Sequence, residues 1–314
     1  MPAPQSPDPT VKPAPAHPFV ARWLALPANV RGALWILAAS VLFSCMAAVV
    51  KTLGARLDSF QIAFFRCAFG LLVILPFMLR AGPQVFKTRR PVLHIVRALT
   101  GVTAMFCGFY SITHLPLADA TAISFAKPLF MIILAVLFLG ETVRWRRWSA
   151  TAVGFAGVVI MVNPGAHGLD PAMMAALFGT LCVAVVVVLV KRLATTEAPL
   201  TILFTFGVVS TIVSALPAAL VWQAPSGAEL VLLVLVGALG AAGQSCAIRG
   251  FRTGEATAVV PFDYSRLLFA GALGYVLFGD IPTVETLAGA ALIVGSTLYI
   301  ALREARLGKK AGAG

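Results

Sequence analysis

The sequence is poor in charge, and poorest in negative charge. Only 11% of its 314 residues are Asp, Glu, Lys or Arg, and 12 of them are acidic. With 60% hydrophobic residues, such a chain cannot cover a water-facing surface, which excludes a soluble globular domain and points to a polytopic membrane protein. Cysteine is scarce as well. Cys45, Cys67, Cys107, Cys182 and Cys246 are odd in number, fall inside apolar spans and show no CxxC or Cys/His spacing, so neither a disulfide framework nor a metal site is implied. His17, His94, His114 and His167 lie in the tail, near span ends or in loops, and no HExxH, GxSxG or Walker sequence occurs. An intramembrane enzyme lacks its nucleophile, base and metal ligands here, and no cofactor is expected.

The formal net charge of +12 does not imply a nucleic-acid partner, because the basic residues are not gathered on one soluble face. They sit between apolar runs, as topology signals do. Residues 1–30 carry eight prolines, which block helix propagation, and read as a flexible tail without the order of a secretory signal peptide. About 20 apolar residues cross a hydrocarbon core of about 30 Å. Ten spans fit that rule: 32–52, 59–79, 92–113, 118–140, 148–164, 171–190, 199–222, 229–248, 256–278 and 284–302. With the N-terminus inside, Arg80, Lys87, Arg89 and Arg90, then Arg144, Arg146 and Arg147, then Lys191, Arg192, Arg249 and Arg252, and finally the basic tail 304–314 all fall on the cytoplasmic side. The outer turns hold little beyond Arg56 and the border residue Lys51. Both termini are therefore expected in the cytoplasm, and the inner membrane is the expected location.

The stretch LADATAISFAKPLFMIILAVLFLGETVRWRR, from Leu117 to Arg147, recurs in changed form as GEATAVVPFDYSRLLFAGALGYVLFGDIP, from Gly254 to Pro282. Gly140-Glu141 corresponds to Gly279-Asp280, and Lys127 to Arg266. Further landmarks repeat at offsets of 136 to 140: Val49-Val50-Lys51 with Leu189-Val190-Lys191, and Ser111-Ile112 with Ala247-Ile248. The chain thus divides into residues 31–165 and 166–303, with five spans each. Five is odd, so the second unit enters from the opposite side. The expected fold is an all-α integral membrane protein of ten transmembrane helices arranged as two inverted five-helix repeats, with binding near the midplane where the repeats meet.

The paired segments, each followed by a Gly-rich last span (VGFAGVVIMV and LAGAALIVGSTLYI), resemble the EamA-type branch of the drug/metabolite transporter superfamily over nearly the whole chain after residue 31. The resemblance implies a five-plus-five architecture with a central cavity. It also implies transport of a metabolite such as an amino acid, a nucleotide-like compound, a vitamin or a drug. The form PFDYSRLLFA is also similar to bacterial members that take up riboflavin or S-adenosylmethionine. The expected partners are a small-molecule metabolite, anionic or zwitterionic, and membrane lipid, with room for a homodimer. A membrane assembly subunit is the rival reading, but it leaves the mirrored cations unexplained.

Lys127 and Arg266 are each about 15 Å from their entry face at 1.5 Å per residue. Two midplane cations repel unless an anion, a carboxylate or water intervenes. They are candidates to attract a substrate carboxylate or phosphate, or to pair with Asp263, which lies three residues before Arg266 on the same helix face. Pro128 and Pro261 break their helices and free backbone carbonyls that need a cavity or a neighbour. Tyr264, Ser124, Phe125, Tyr110 and Gln244 are candidate liners of that space. Arg66 is expected to meet Asp58, Asp119 or substrate. Arg97, six residues past Pro91, is expected to snorkel to the headgroups. Glu141 and Asp280 are candidates for a gate or a structural ion pair. The repeated glycines, including Gly157, Gly237, Gly271 and Gly289, are assigned to helix packing.

Overall fold

The computed structural model describes residue 23 and residues 26–82, 88–127, 129–131, 133–134, 145–162, 170–193, 196–197, 199–253 and 262–311. Ten helices appear among them: α1 (Ala28–Leu53), α2 (Ser59–Ala81), α3 (Pro91–His114), α4 (Leu117–Ser124), α5 (Trp145–Val162), α6 (Pro171–Leu193), α7 (Pro199–Leu220), α8 (Gly227–Thr253), α9 (Ser265–Phe278) and α10 (Val284–Ala311). Runs in α1, α2, α3, α6, α7 and α8 are long and apolar enough to cross a membrane, and α5, α9 and α10 hold shorter apolar runs. Leu79, Val92, Leu216, Leu220 and Val276 are 66% to 79% exposed, which water would penalise and lipid would not.

Local chemistry sets several helix ends. The Asp58 carboxylate accepts the Phe60 N–H at 2.8 Å and caps α2, and Pro91 opens α3, where a missing N–H costs nothing. Gly279 adopts φ +69° after α9; its N–H donates to the Tyr275 carbonyl while the Asp280 N–H donates to that of Gly274. This left-handed turn needs glycine and ends the helix with Asp280 held in a fixed direction.

Packing between the repeats follows a two-fold exchange. α1 packs on α8 and α6 on α3; α2 packs on α8 and α7 on α3; α1 packs on α9 and α6 on α4. α2 with α7, α4 with α9 and α5 with α10 pair with their own counterparts. Helix ends show that the axis inverts the repeats. The start of α1 meets the end of α8, where the Arg249 guanidinium lies 5.1 Å from the Trp35 ring. The start of α6 instead meets the end of α3, where Ser111 Oγ donates to the Ala172 carbonyl at 2.8 Å. The ends of α1 and α3 share one face, because Lys51 Nζ donates to the Leu115 carbonyl at 3.1 Å. Hence α6 starts on the face where α1 finishes. We call the face where α1 begins the N-terminal face. Pro76 in α2 and Pro217 in α7 lie inside the two helices that pair across the axis.

α5 and α10 approach backbone to backbone. A Cβ on Gly157 would lie 2.8 Å from the Gly289 carbonyl, and one on Gly289 would lie 2.5 Å from that of Gly157. Without a water-driven force between helices, this close dispersion contact is what holds them. Gly157→Leu is expected to force the pair apart and cost about 1–3 kcal/mol, as overpacking does. Gly271→Ala has nothing within 4 Å to displace and is expected to be silent. The thermal midpoint of the detergent-purified protein measures both.

Candidate functional site

α4 is helical only to Ser124. Phe125 N–H then donates to the Ala122 carbonyl, Ala126 N–H to Ile123 and Leu129 N–H to Ala126, each at 3.0 Å, so the backbone tightens to three-residue turns. Pro128 follows in the sequence and has no N–H to give the Ser124 carbonyl, so a regular helix cannot be completed across this point. In the second repeat the helix is interrupted at Tyr264, whose carbonyl accepts the Leu267 N–H at 3.0 Å. The two interruptions meet: the Phe125 and Tyr264 rings are 5.0 Å apart, edge to face. Both rings belong to the apolar cluster that also holds Ile123, Leu129 and Ile293.

Beside this junction Arg266 crosses from α9 to α4. Its Nη2 donates to Ser124 Oγ at 3.1 Å, and Ser124 Oγ in turn donates to the Thr121 carbonyl at 2.6 Å. Ser44 Oγ of α1 donates to the Arg266 carbonyl at 3.3 Å, and the guanidinium lies 5.9 Å from the Phe43 ring. Arg266 and Ser124 line a cavity of about 180 Å³ together with Phe43, Ser44, Met46 and Ala47 of α1, Ala104, Gly108, Ser111 and Ile112 of α3, Ala120 and Thr121 of α4, and Ala176, Gly179, Thr180 and Val183 of α6. The α1 and α3 residues, with Ala120, Ala176, Gly179 and Thr180, come from the half of their helices nearer the face opposite the N-terminal one, and Thr121, Ser124, Val183 and Arg266 lie deeper. The guanidinium is thus the inner boundary of an otherwise uncharged, hydroxyl-dotted space. Ligand pockets usually hold about 300–1,000 Å³, so this cavity takes a polar group and must widen for a whole metabolite.

Lys127 is half-buried within electrostatic reach of Asp263 and Arg266. Among the described residues those three form no ion pair with one another. The expected Asp263–Arg266 pair is replaced by the Ser124 hydroxyl, because the guanidinium reaches across to α4 instead of back along α9. Tyr110 and Gln244 do not line the cavity. Tyr110 is exposed and its ring lies 4.1 Å from that of His114, and Gln244 is exposed on α8. Pro128, Glu141 and Pro261 lie outside the described residues. Arg66 has neither expected carboxylate: Asp58 caps α2 and Asp119 accepts the Thr286 hydroxyl at 2.8 Å. Arg97 does not snorkel. It is 9% exposed and its guanidinium stacks 4.1 Å over the Phe206 ring, because its face of α3 is turned onto α7 rather than to lipid.

Asp280 forms an ion pair with Lys51. Its Oδ2 accepts from Lys51 Nζ at 2.5 Å and from the Leu117 N–H at 3.2 Å, while Lys51 also lies 4.9 Å from the Phe278 ring. The ends of α1, α3 and α9 and the start of α4 are thereby joined over the apolar cluster of Ala47, Ala48, Leu117 and Ala270. At the other face Glu197 accepts from the Thr88 hydroxyl at 2.9 Å and the Arg89 N–H at 2.8 Å, joining the α6–α7 and α2–α3 connections. Burial raises the pKa of this carboxyl, but those donors, with His94, outweigh it and hold the group below its usual range.

Sequence reading missed Phe43, Ser44, Met46, Thr121 and Thr180. A usable signal existed in the small residues Ala176, Gly179, Thr180 and Val183, which recur at three- and four-residue spacing on one face of α6.

The chain matches the EamA-like transporter family over residues 30–163 and again over 170–302. An S-adenosylmethionine uptake transporter of Rickettsia felis is 35% identical over 89% of this chain and 95% of its own. A riboflavin transporter of Rhizobium johnstonii is 33% identical over 89% and 93%. One crystal structure, 22% identical with a TM-score of 0.61, covers 86% of this chain and 96% of its own and shows the fold alone. Two family units of matching extent, ten helices in inverted repeats and a charged cavity between them lead to one conclusion: this multi-pass membrane protein belongs to the EamA-like transporter family and is a small-metabolite transporter, not an enzyme.

Proposed function

We propose that the protein carries a zwitterionic, carboxylate-bearing metabolite of the S-adenosylmethionine class across the inner membrane by alternating access between residues 31–165 and 166–303. The observation that carries this reading is the Arg266 guanidinium at the inner end of the cavity, bonded to the Ser124 hydroxyl. A guanidinium in a dry site offers two parallel donors matched to a carboxylate. Half-buried Asp263 is close enough in the chain to meet an ammonium or sulfonium of the same substrate. Riboflavin, the substrate named for another relative, has no anionic group at neutral pH for Arg266 to hold.

The present cavity serves one half of the cycle. Lys127, the counterpart of Arg266, and Gln244, the counterpart of cavity-lining Gly108 at an offset of 136, belong to the other half, which opens toward the N-terminal face. The Lys51–Asp280 pair acts as the gate at the opposite face. A cytoplasmic N-terminal face is supported by the excess of basic residues there, with Arg80, Arg89, Arg90, Arg192 and Arg249.

Uptake and counterflow in proteoliposomes test the substrate class. S-adenosylmethionine and other amino-acid-bearing compounds are expected to exchange, and riboflavin is expected not to. Transport of riboflavin or other uncharged compounds alone would overturn the carboxylate reading.

A further inference from the structure

Two further basic side chains, Arg97 and His94, lie outside the cavity lining on the face of α3 turned to α7. Arg97 is buried, and its Nε and Nη1 have no hydrogen-bond partner. The guanidinium carbon lies 4.1 Å over the Phe206 ring, so the ring covers one side of the group while Nε–H and Nη1–H remain as donors for an oxyanion. His94, one turn earlier on the same face, is 1% exposed, and neither of its ring nitrogens has a partner. Arg66 lies within electrostatic reach of Arg97, and no carboxylate pairs with either arginine among the described residues. Glu197, the acidic group near His94, is already engaged by Thr88 and Arg89.

The two-fold axis shows that packing does not demand these cations. At an offset of 136 the counterpart of Arg97 is Leu233, which is fully buried in a cluster that Phe65 and Phe69 pack against. The counterpart of Arg66 falls at Thr205 or Phe206. The α3–α7 contact therefore holds Arg97 where its counterpart between α8 and α2 holds Leu233, while Arg66 of α2, the counterpart of Phe206, lies with its Nε against Gly240 of α8. Unpaired buried donors cost free energy and call for a partner that the described residues do not supply.

We propose that Arg97, with Arg66 and His94 around it, forms a second anion site that takes a carboxylate or phosphate group. A free anion and an anionic lipid headgroup offer the same chemistry, and the site does not depend on which substrate the cavity carries.

The test is the thermal midpoint of the full chain in nanodiscs. Sodium phosphate is compared with sodium chloride at equal ionic strength in phosphatidylcholine, and phosphatidylcholine is compared with a phosphatidylglycerol mixture. Phosphate or phosphatidylglycerol is expected to raise the wild-type midpoint; the first result identifies a free anion and the second a headgroup. Arg97→Leu, the residue of the other repeat, is expected to abolish the shift while folding at least as well in chloride. Arg97→Lys keeps the charge without the planar fork and is expected to weaken the shift, so the test survives if Arg97→Leu fails to fold. Arg266→Leu is expected to retain it. The proposal is overturned if neither anion shifts the wild type, if the shift persists without Arg97, or if Arg266→Leu alone removes it.

Discussion

Arg266→Leu is expected to lower the initial rate of S-adenosylmethionine uptake by roughly 10- to 100-fold with the protein still inserted at normal levels. A hydrogen bond to a charged group contributes about 1.5–3 kcal/mol, and each 1.4 kcal/mol is tenfold. Leucine is easier than arginine to place in hydrocarbon, so insertion does not suffer. Arg266→Lys retains a point charge but not the paired donors and is expected to fall between the two. Ser124→Ala removes only the neutral hydroxyl that orients Arg266 and is expected to cost a few-fold, in line with about 0.5–1.5 kcal/mol for a neutral hydrogen bond. Uptake by Arg266→Leu at the wild-type rate, in proteoliposomes matched for protein content, would remove Arg266 from the transport step.

Breaking the Lys51–Asp280 pair is the second large effect. The two side chains are 15% and 18% exposed, and Asp280 also accepts the first N–H of α4. Asp280→Ala strands the ammonium with the Leu115 carbonyl alone. The expected loss of stability is about 2 kcal/mol, less than the 3–5 kcal/mol found when one partner of a fully buried pair is removed. Because the pair joins four of the helices that line the cavity, Asp280→Ala is also expected to speed exchange with the face opposite the N-terminal one. The exchanged pair Lys51→Asp with Asp280→Lys is expected to recover part of the stability, and a double-mutant cycle measures the coupling. A coupling near zero would mean that the pair behaves like an exposed surface bridge.

The spans and the inversion were legible because each leaves a one-dimensional mark. Apolar runs have the length of a membrane, and Gly279-Asp280 mirrors Gly140-Glu141. Which way a side chain faces left no such mark. In a membrane helix the lipid side and the protein side are both apolar, so nothing in the sequence separates Tyr110 from its cavity-lining neighbours Ser111 and Gly108. The same uniformity hid the turn of Arg97 onto Phe206. Lys51 and Asp280 are 229 residues apart and meet only because the inverted repeats bring the end of α1 to the end of α9.

Cysteine accessibility at positions 108 and 244 tests the inverted, alternating site most directly. Gly108 has nothing within 4 Å of an added Cβ and Gln244 is exposed, so Gly108→Cys and Gln244→Cys are tolerated in a background with the five natural cysteines replaced. A membrane-impermeant maleimide applied to right-side-out or inside-out vesicles is expected to label position 108 from the face opposite the N-terminal one and position 244 from the N-terminal face. S-adenosylmethionine is expected to change the two rates in opposite directions. Labelling of both positions from the same face would contradict the account.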